Sequence, residues 1–224
     1  MNLLLNRQLL KAALVSSAAL ACFSVLAANA ADLAANALPT GGQVVAGNAT
    51  ISQDATNPVL NVNQTSQRAI VSWEKFDVGS NATVNFNQPN AQASTLNRVR
   101  TGTESRIAGK INAPGEVVLV NESGVYFTGT AKVDVGALVA TTHNIADADY
   151  MAGQATYNRN GATGKITNDG EINAGLGSYI ALLAPEVRNN GIVVAKMGTV
   201  VMAAGERITL NFDPSKHLAS ISTT

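Results

Sequence analysis

The stretch 166–212 repeats itself, and this repeat constrains the fold more than any other feature of the chain. A shift of 21 residues superimposes four identical pairs, which are Asn168 with Asn189, Gly170 with Gly191, Ala174 with Ala195, and Gly177 with Gly198. The same shift preserves residue character in five further pairs, which are Ile172 with Val193, Leu176 with Met197, Ser178 with Thr199, Ile180 with Val201, and Val187 with Ile208. Short β-branched runs recurring about every 20 residues between Asn and Gly turns are typical of stacked solenoid coils. We therefore predict that each unit forms one rung of a β-helix.

Composition agrees with one long β structure and argues against two classes of partner. The 224 residues are 46% hydrophobic, 13% charged and 4% aromatic, which is enough chain for one domain with a core. Lys and Arg number 15, as do Asp and Glu, so the formal net charge is zero. A neutral balance gives no electrostatic footprint for nucleic acid or for a strongly anionic membrane surface. We therefore expect no nucleic-acid partner.

The N-terminus has the pattern of an export signal. Arg7 and Lys11 precede a small, apolar run over 12–27, and Ala28-Asn29-Ala30 provides a small-x-small cleavage site. We predict a signal peptide over 1–30, with cleavage between Ala30 and Ala31. The alternative is a retained transmembrane helix, but the apolar run is shorter than the roughly 20 residues that span a bilayer and contains serines.

The large rings of the N-terminal half are expected to lie in the core. The run 82–87 alternates in polarity, so Val84 and Phe86 should share one face of a strand while Thr and Asn residues occupy the other. Trp73 and Phe76 lie close together just before it. They have two interpretations, a hydrophobic plug at the end of the solenoid or an anchor for a partner. The plug is favoured because exposed aromatic anchors are rarer.

A four-residue turn, Asn121-Glu122-Ser123-Gly124, separates the apolar runs 115–120 and 125–127. Asn at the first turn position can bond to the backbone two residues on, and Gly at the fourth avoids a Cβ clash. We predict that this segment makes a tight corner between two strands.

Several ordered motifs resemble those of one family. They are the segments 38–42, 84–86, 96–99, 105–109, 121–127 and 136–142, together with Trp73 and Phe76. In this order they resemble the filamentous haemagglutinin N-terminal domain, which is the secretion domain of two-partner secretion exoproteins. The resemblance extends from about Leu38 to about Leu218.

The resemblance implies a fold and a function for residues 31–224. The fold would be all-β, a right-handed parallel β-helix built as a single-stranded solenoid with an N-terminal cap. The protein would be exported through the periplasm of a Gram-negative cell and recognised by an outer-membrane β-barrel transporter with periplasmic polypeptide-transport-associated domains. It would then be secreted or reach the cell surface, as adhesins and haemagglutinins do, where a host-surface glycan or protein is a further candidate partner.

Two departures from the family pattern affect which family properties the resemblance implies for this chain. The family commonly has Asn-Pro-Asn-Gly-Ile where this chain has Asn121-Glu122-Ser123-Gly124-Val125, and a second Asn-Pro-Asn-Leu motif is missing. The nearer branch is therefore the one that resembles the high-molecular-weight adhesins. Family exoproteins are also usually much longer, so this chain is either part of a longer exoprotein or a stand-alone short form. The residues predicted to be recognised by the transporter are Asn97, Arg98, Arg106, Asn121, Gly124 and Val125, with turn formation as the equal alternative for Asn121.

Two other functions compete with this interpretation. A β-helix enzyme acting on polysaccharides would need clustered carboxylates, and the candidates are Asp134, Asp147, Asp149, Asp169 and Asp213. Asp147 and Asp149 would share one side if their segment were extended, although weak helical character is expected over 145–151. A carboxylate pair of this kind is more often part of a solvated loop, so we predict no catalysis, and no cofactor is expected. His143 and His217 stand alone in sequence, so we predict no metal site. The third possibility is a stand-alone glycan-binding module that uses Asn and Thr ladders on one face of the β-helix.

Overall fold

The computed structural model describes residues 32–213, 215 and 217–224. The predicted signal peptide 1–30 and its cleavage site at Ala30 and Ala31 lie outside the described residues. The first strands are β1 (Gln43–Ala46), β2 (Ala49–Gln53), β3 (Val59–Gln64), β4 (Arg68–Trp73), β5 (Thr83–Asn87), β6 (Ser94–Val99), β7 (Ser105–Ile107), β8 (Lys110–Val120), β9 (Val125–Phe127) and β10 (Lys132–Thr141). Helix α1 (Asp147–Met151) follows, and then come β11 (Thr156–Asn158), β12 (Ile166–Asn168), β13 (Glu171–Ala174), β14 (Tyr179–Leu183), β15 (Val187–Asn189), β16 (Ile192–Ala195), β17 (Thr199–Ala203), β18 (Arg207–Phe212) and β19 (Leu218–Thr223).

Successive strands wind into the right-handed parallel β-helix that was predicted. The first sheet stacks β3, β5, the start of β8, the start of β10, β13 and β16 in parallel. The second sheet stacks β4, β6, the end of β8, the end of β10, β14 and β17 in parallel. The third sheet stacks β7, β9, β12 and β15. The four central coils contribute one segment to each sheet, whereas the first coil (β3 and β4) and the last (β16 and β17) contribute strands to the first two sheets. Backbone hydrogen bonds between coils hold the solenoid together.

The interior of the solenoid is a continuous apolar column. Val84 and Phe86 lie inside it, at 0% and 1% exposure, while Thr83 and Asn85 are half-buried on the opposite face of β5. The period-two prediction for this strand is confirmed. Each additional coil extends the column, because an equivalent residue of the next strand lies directly above.

The N-terminal end of the solenoid carries a cap. Strand β1 pairs antiparallel with β4, and β2 pairs antiparallel with β3, which breaks the parallel order of the coils. Beneath this cap Trp73 and Phe76 are each 1% exposed, with ring centroids 5.5 Å apart at an interplanar angle of 80°. Edge-to-face packing of this kind adds to the burial of the rings. The plug interpretation of these two rings is confirmed, and neither ring is exposed as an anchor on the folded domain.

A separate layer, which we call the outer layer, covers the second sheet from outside. It consists of α1 and the antiparallel strands β11, β18 and β19. Tyr150, Tyr157, Ile208 and Leu210 of this layer, together with Ile145 just before α1, form one apolar cluster with second-sheet residues. Those second-sheet residues include Val118, Val139 and Ala181. A strand that is covered on both faces does not need a polar residue at every second position. This explains the uninterrupted apolar runs at the ends of β8 and β10.

The repeat is confirmed in its first half and wrong in its second half. Asn168 pairs with Asn189 and Ile172 with Val193, as the shift of 21 residues predicts. In the second sheet, however, Ile180 pairs with Val200 rather than Val201. The turn 195–198 is one residue shorter than the link it stacks on, so the shift becomes 20 residues.

The remaining predicted pairs change for related reasons. Gly177, with a φ of 71°, corresponds to Met197, whose φ is 52°, rather than to Gly198. Val187 does not lie beneath Ile208, because β18 leaves the coils to join the outer layer. A repeat read from side chains alone does not detect a shortened turn or a strand that changes sheet.

Candidate functional site

The Asn121 turn has the predicted geometry. The Gly124 amide donates to the Asn121 carbonyl at 2.9 Å, and the Ser123 amide donates to Asn121 Oδ1 at 2.9 Å. Asn121 Nδ2 also donates to the Thr103 carbonyl at 2.9 Å and to Ser105 Oγ at 3.0 Å. Asn121 is 1% exposed, so its side chain joins this turn to the preceding coil.

Packing also restricts which residues fit at positions 124 and 125, which are Gly124 and Val125. Gly124 has a φ of 116°, and an added Cβ would lie 2.8 Å from the Lys165 carbonyl oxygen. A side chain there would combine backbone strain with a clash. Val125 is fully buried in the core. The outward-facing positions of this corner are instead Glu122, which is exposed, and Ser123, which is half-buried.

Asn97 lies inside the solenoid rather than on its surface. Its exposure is 0%, and its Oδ1 accepts a hydrogen bond of 3.0 Å from Trp73 Nε1. Its Nδ2 donates to the carbonyls of Thr95 and Val118 at 3.2 and 3.4 Å. The side chain therefore satisfies the polar atom of the buried tryptophan and connects neighbouring coils.

Arg98 ties the outer layer to the second sheet. Its guanidinium donates to Asp147 Oδ1 at 2.5 Å, to the Ile145 carbonyl at 2.6 Å and to Asn144 Oδ1 at 3.2 Å. The Arg98 side chain is 21% exposed. A partly buried, multiply bonded guanidinium of this kind fixes the segment that leads into α1.

Arg106 lies on the outside of the third sheet, next to the Asn121 turn. Its backbone amide donates to Asp77 Oδ1 at 2.9 Å, and Arg106 pairs with Tyr126 on the next coil. Tyr126 donates to Asp169 Oδ2 at 2.7 Å, and this hydrogen bond lowers the pKa of the Asp169 carboxyl. We call this group the third-sheet face.

Glu104 completes the charged surroundings of the turn. Burial raises its pKa, and the positive charges of Lys165 and Arg106 oppose that change. The Asn121 turn is thus bordered by charges of both signs, of which Glu122 and Lys165 are exposed.

The carboxylates proposed for an enzyme are dispersed among different elements. Asp147 and Asp149 fall in α1, where residues two apart do not face each other, so the idea that they share one side of an extended segment is wrong. Asp134 accepts from Asn173, Asp169 from Tyr126, and Asp213 from the His217 amide.

The two histidines are likewise in separate places. His143 is 0% exposed, and its Nε2 lies 2.7 Å from the Gly205 carbonyl oxygen, while His217 lies 3.3 Å from Asp213. Among residues 32–213, 215 and 217–224, no group of three or more His, Cys, Asp or Glu side chains is arranged to hold a metal ion. No helix in this part of the chain is long and apolar enough to span a membrane.

Stacked asparagines form a ladder on the first sheet. Asn112 Nδ2 donates to Asn85 Oδ1 at 2.9 Å, and Asn85 Nδ2 donates to Asn61 Oδ1 at 3.1 Å. The spacings of 24 and 27 residues differ from the repeat near the C-terminus, so this register was not found from the sequence. Because the amides bond to each other, the ladder stabilises the stacked coils and has fewer groups left for a ligand.

The comparisons with known proteins agree with this geometry. A family model described as the TPS secretion domain matches residues 35–223. A heme/hemopexin-binding protein of Haemophilus influenzae is 31% identical over 190 residues, covering 80% of this chain and 20% of that protein. A second protein of the same description and organism is 38% identical over 107 residues, covering 48% of this chain and 11% of that protein. The chain therefore spans about a fifth or less of the length of these relatives.

Two crystal structures share the fold. The HMW1 secretion domain from Haemophilus influenzae superimposes with a TM-score of 0.76 at 26% identity, covering 83% of this chain and 49% of that one. The filamentous hemagglutinin secretion domain has a TM-score of 0.55 at 18% identity, covering 83% and 68%. The greater similarity to the HMW1 domain confirms the branch predicted from the altered turn motif.

Proposed function

This chain belongs to the TPS secretion domain family, and from that premise we propose that it directs an adhesin- or haemagglutinin-type exoprotein to its outer-membrane transporter. The observation that carries the proposal is the family match over 35–223, which includes nearly all of the described β-helix. Recognition would involve the periplasmic polypeptide-transport-associated domains of a β-barrel transporter. Export would end in secretion or display at the cell surface.

The proposed mechanism uses the polypeptide itself and needs no catalytic group. A chain that crosses the outer membrane unfolded binds its transporter through extended contacts, and strand addition to a sheet edge supplies backbone hydrogen bonds. Outside the cell each completed coil gives the next strand a template at about 4.8 Å. Folding from coil to coil would then oppose return of the chain.

Two kinds of recognition are distinguishable through the Asn121 turn. A transporter that reads the unfolded chain has access to Asn121 and Val125, which are buried after folding. A transporter that reads the folded domain has access instead to Glu122 and Lys165. We propose the first kind, because passage precedes folding in the mechanism above.

The primary test is secretion of the tagged full chain from a Gram-negative host with and without a two-partner transporter. The culture medium and the periplasm are assayed for the tag. Release into the medium only when the transporter is present supports the proposal. Periplasmic retention in both strains overturns it.

A pair of variants separates recognition from folding. Asn121→Ala and Asn168→Ala each remove a buried asparagine whose Oδ1 accepts the amide two residues on. They should destabilise the fold by similar amounts, about 1 to 2 kcal/mol. We expect Asn121→Ala to slow secretion more than Asn168→Ala, and Glu122→Gln to leave it unchanged. Equal slowing by the two alanine variants would assign Asn121 a purely structural role.

The contribution of folding to export is tested at the C-terminal coils. Val193 packs against the core, and Val201 is 4% exposed in β17. Replacing both with alanine removes buried methyl groups and should lower the free energy of unfolding by about 2 kcal/mol. The double variant should be secreted more slowly than the unaltered chain. A normal secretion rate would show that folding does not assist export.

A further inference from the structure

A cavity of about 600 Å³ lies between the second sheet and the outer layer. Its walls include Glu116 from β8, Tyr179 from β14, Tyr150 from α1, Tyr157 from β11 and Phe212 from β18. This volume is within the range of about 300 to 1,000 Å³ that small-molecule sites occupy. The cavity is separate from the Asn121 turn and has no part in the proposed export mechanism.

One buried hydroxyl in this cavity has no hydrogen-bond partner among the described residues. Tyr157 is 1% exposed, and among the described residues none forms a hydrogen bond with its hydroxyl. Tyr157 is one of the residues that line the cavity. Burial raises the pKa of Tyr157 well above its usual value, which keeps the hydroxyl neutral and able to donate.

The other polar side chains of the cavity wall are held in position by their neighbours, and not all of their hydrogen-bonding atoms are bonded to described residues. Tyr179 donates to Glu116 Oε1 at 2.5 Å, and the second carboxylate oxygen of Glu116 has no hydrogen-bond partner among the described residues. The Arg68 guanidinium lies 5.1 Å from the ring centroid of Tyr150, whose hydroxyl lies 2.5 Å from Ser94 Oγ. The cavity therefore offers a donor at Tyr157 and an acceptor at Glu116.

These groups select among classes of ligand. An apolar ligand would desolvate the Tyr157 hydroxyl and the second carboxylate oxygen of Glu116 without giving either one a hydrogen bond, which is costly. The walls carry the carboxylates of Glu116 and Asp213 and the guanidinium of Arg68. Asp213 already accepts a hydrogen bond from the His217 amide. An anion would meet the two carboxylates, and a cation would meet Arg68. Hydroxyl groups both donate and accept, so a neutral polyhydroxylated ligand satisfies both kinds of group. The half-buried ring of Phe212 provides an apolar surface for the C–H face of such a ligand.

We propose that this cavity, with Tyr157 and Glu116 as its hydrogen-bonding groups, binds a neutral disaccharide. The site differs from the asparagine ladder, whose amides bond mainly to each other. It depends on the contact between the outer layer and the second sheet, so it exists only in the folded domain. Binding is therefore independent of transporter recognition.

The test is titration calorimetry of the purified protein with maltose, cellobiose, lactose and chitobiose, and with glucuronate and indole as an anionic and an apolar probe. At least one neutral disaccharide should bind, and more tightly than glucuronate or indole. Tyr157→Phe should weaken that binding about fivefold, the equivalent of one neutral hydrogen bond, and Glu116→Gln should weaken it at least as much. Tyr157→Phe should fold normally, because the lost hydroxyl has no partner within the described protein.

Tyr126→Phe is the matched control, since it removes a tyrosine hydroxyl on the third-sheet face, away from the cavity lining. It should leave saccharide binding unchanged. The proposal is overturned if no neutral disaccharide binds at millimolar concentration, or if glucuronate or indole binds best. It is also overturned if Tyr157→Phe binds as tightly as the unaltered protein.

Discussion

The two ends of the β-helix are built differently. At the N-terminal end, β1 and β2 cross the parallel coils in antiparallel fashion, and Trp73 and Phe76 are buried beneath them. At the C-terminal end, β16 and β17 each pair only with the preceding coil among the described residues, and apolar side chains are exposed. Those side chains are Ile192, Met197, Val200 and Met202.

This difference indicates which coils of a solenoid are the most stable. Each coil contacts only its neighbours, so a coil covered on both sides is stabilised by two interfaces and a terminal coil by one. A terminal coil with exposed apolar residues and a free strand edge also presents a surface on which another strand can pair. We expect stability to decrease from the capped end toward β16 and β17, and the following predictions test this gradient.

The largest expected effect is at the cap. Trp73→Ala should lower the free energy of unfolding by about 3 to 5 kcal/mol, because it opens a cavity under β1 and removes the bond to Asn97. Met202→Ala at the other end, where the side chain is 44% exposed, should cost about 0.5 kcal/mol or less. Urea denaturation followed by circular dichroism measures both. Similar costs for the two variants would contradict the gradient.

Removing the partner of the buried tryptophan should have the next largest effect. Asn97→Ala leaves Trp73 Nε1 buried without an acceptor, so we expect a loss of about 1 to 3 kcal/mol in the free energy of unfolding. Asn112→Ala, in the half-buried ladder, is the control and should cost about 1 kcal/mol or less. A double-mutant cycle with Trp73→Phe isolates the hydrogen bond. Absence of coupling in that cycle would show that Asn97 acts through other contacts.

Amide hydrogen exchange should show the gradient without any substitution. Amides of β6, which lies between two coils, should exchange at least about tenfold more slowly than those of β17, which has one neighbour. Mass spectrometry of peptic fragments resolves these segments. Equal protection of β6 and β17 would mean that the solenoid opens as one cooperative unit.

The smallest expected effect is at the exposed turn before β17. Met197 is 89% exposed with a φ of 52°, so Met197→Gly relieves left-handed strain without loss of packing. We expect a gain of about 0.5 kcal/mol in the free energy of unfolding, the balance between strain relief and the entropy of glycine. Leu176→Gly is the control, because Leu176 is 75% exposed without a positive φ, and it should destabilise slightly. A Met197→Gly variant less stable than the unaltered chain would show that the turn carries no strain.

Local patterns were sufficient to predict the geometry of the Asn121 turn. The Asn121 turn was predicted because both of its hydrogen bonds connect residues two or three apart in sequence. The prediction did not reveal that Asn121, Asn97 and Val125 are buried, since burial depends on which coil lies above and below. Their proposed role in transporter recognition therefore concerns the unfolded chain.

The sequence by itself determined the class of fold, because alternation along β5 and the spacing of Asn and Gly between β12 and β16 dictate stacked parallel strands. Only the tertiary structure decided what lies outside the solenoid. The outer layer pairs β11 with β18, and Arg98 reaches Asp147 across 49 residues. No short-range pattern encodes such contacts, because they arise when segments distant in sequence cover an apolar sheet face. The cavity lined by Tyr157 and Glu116 exists for the same reason.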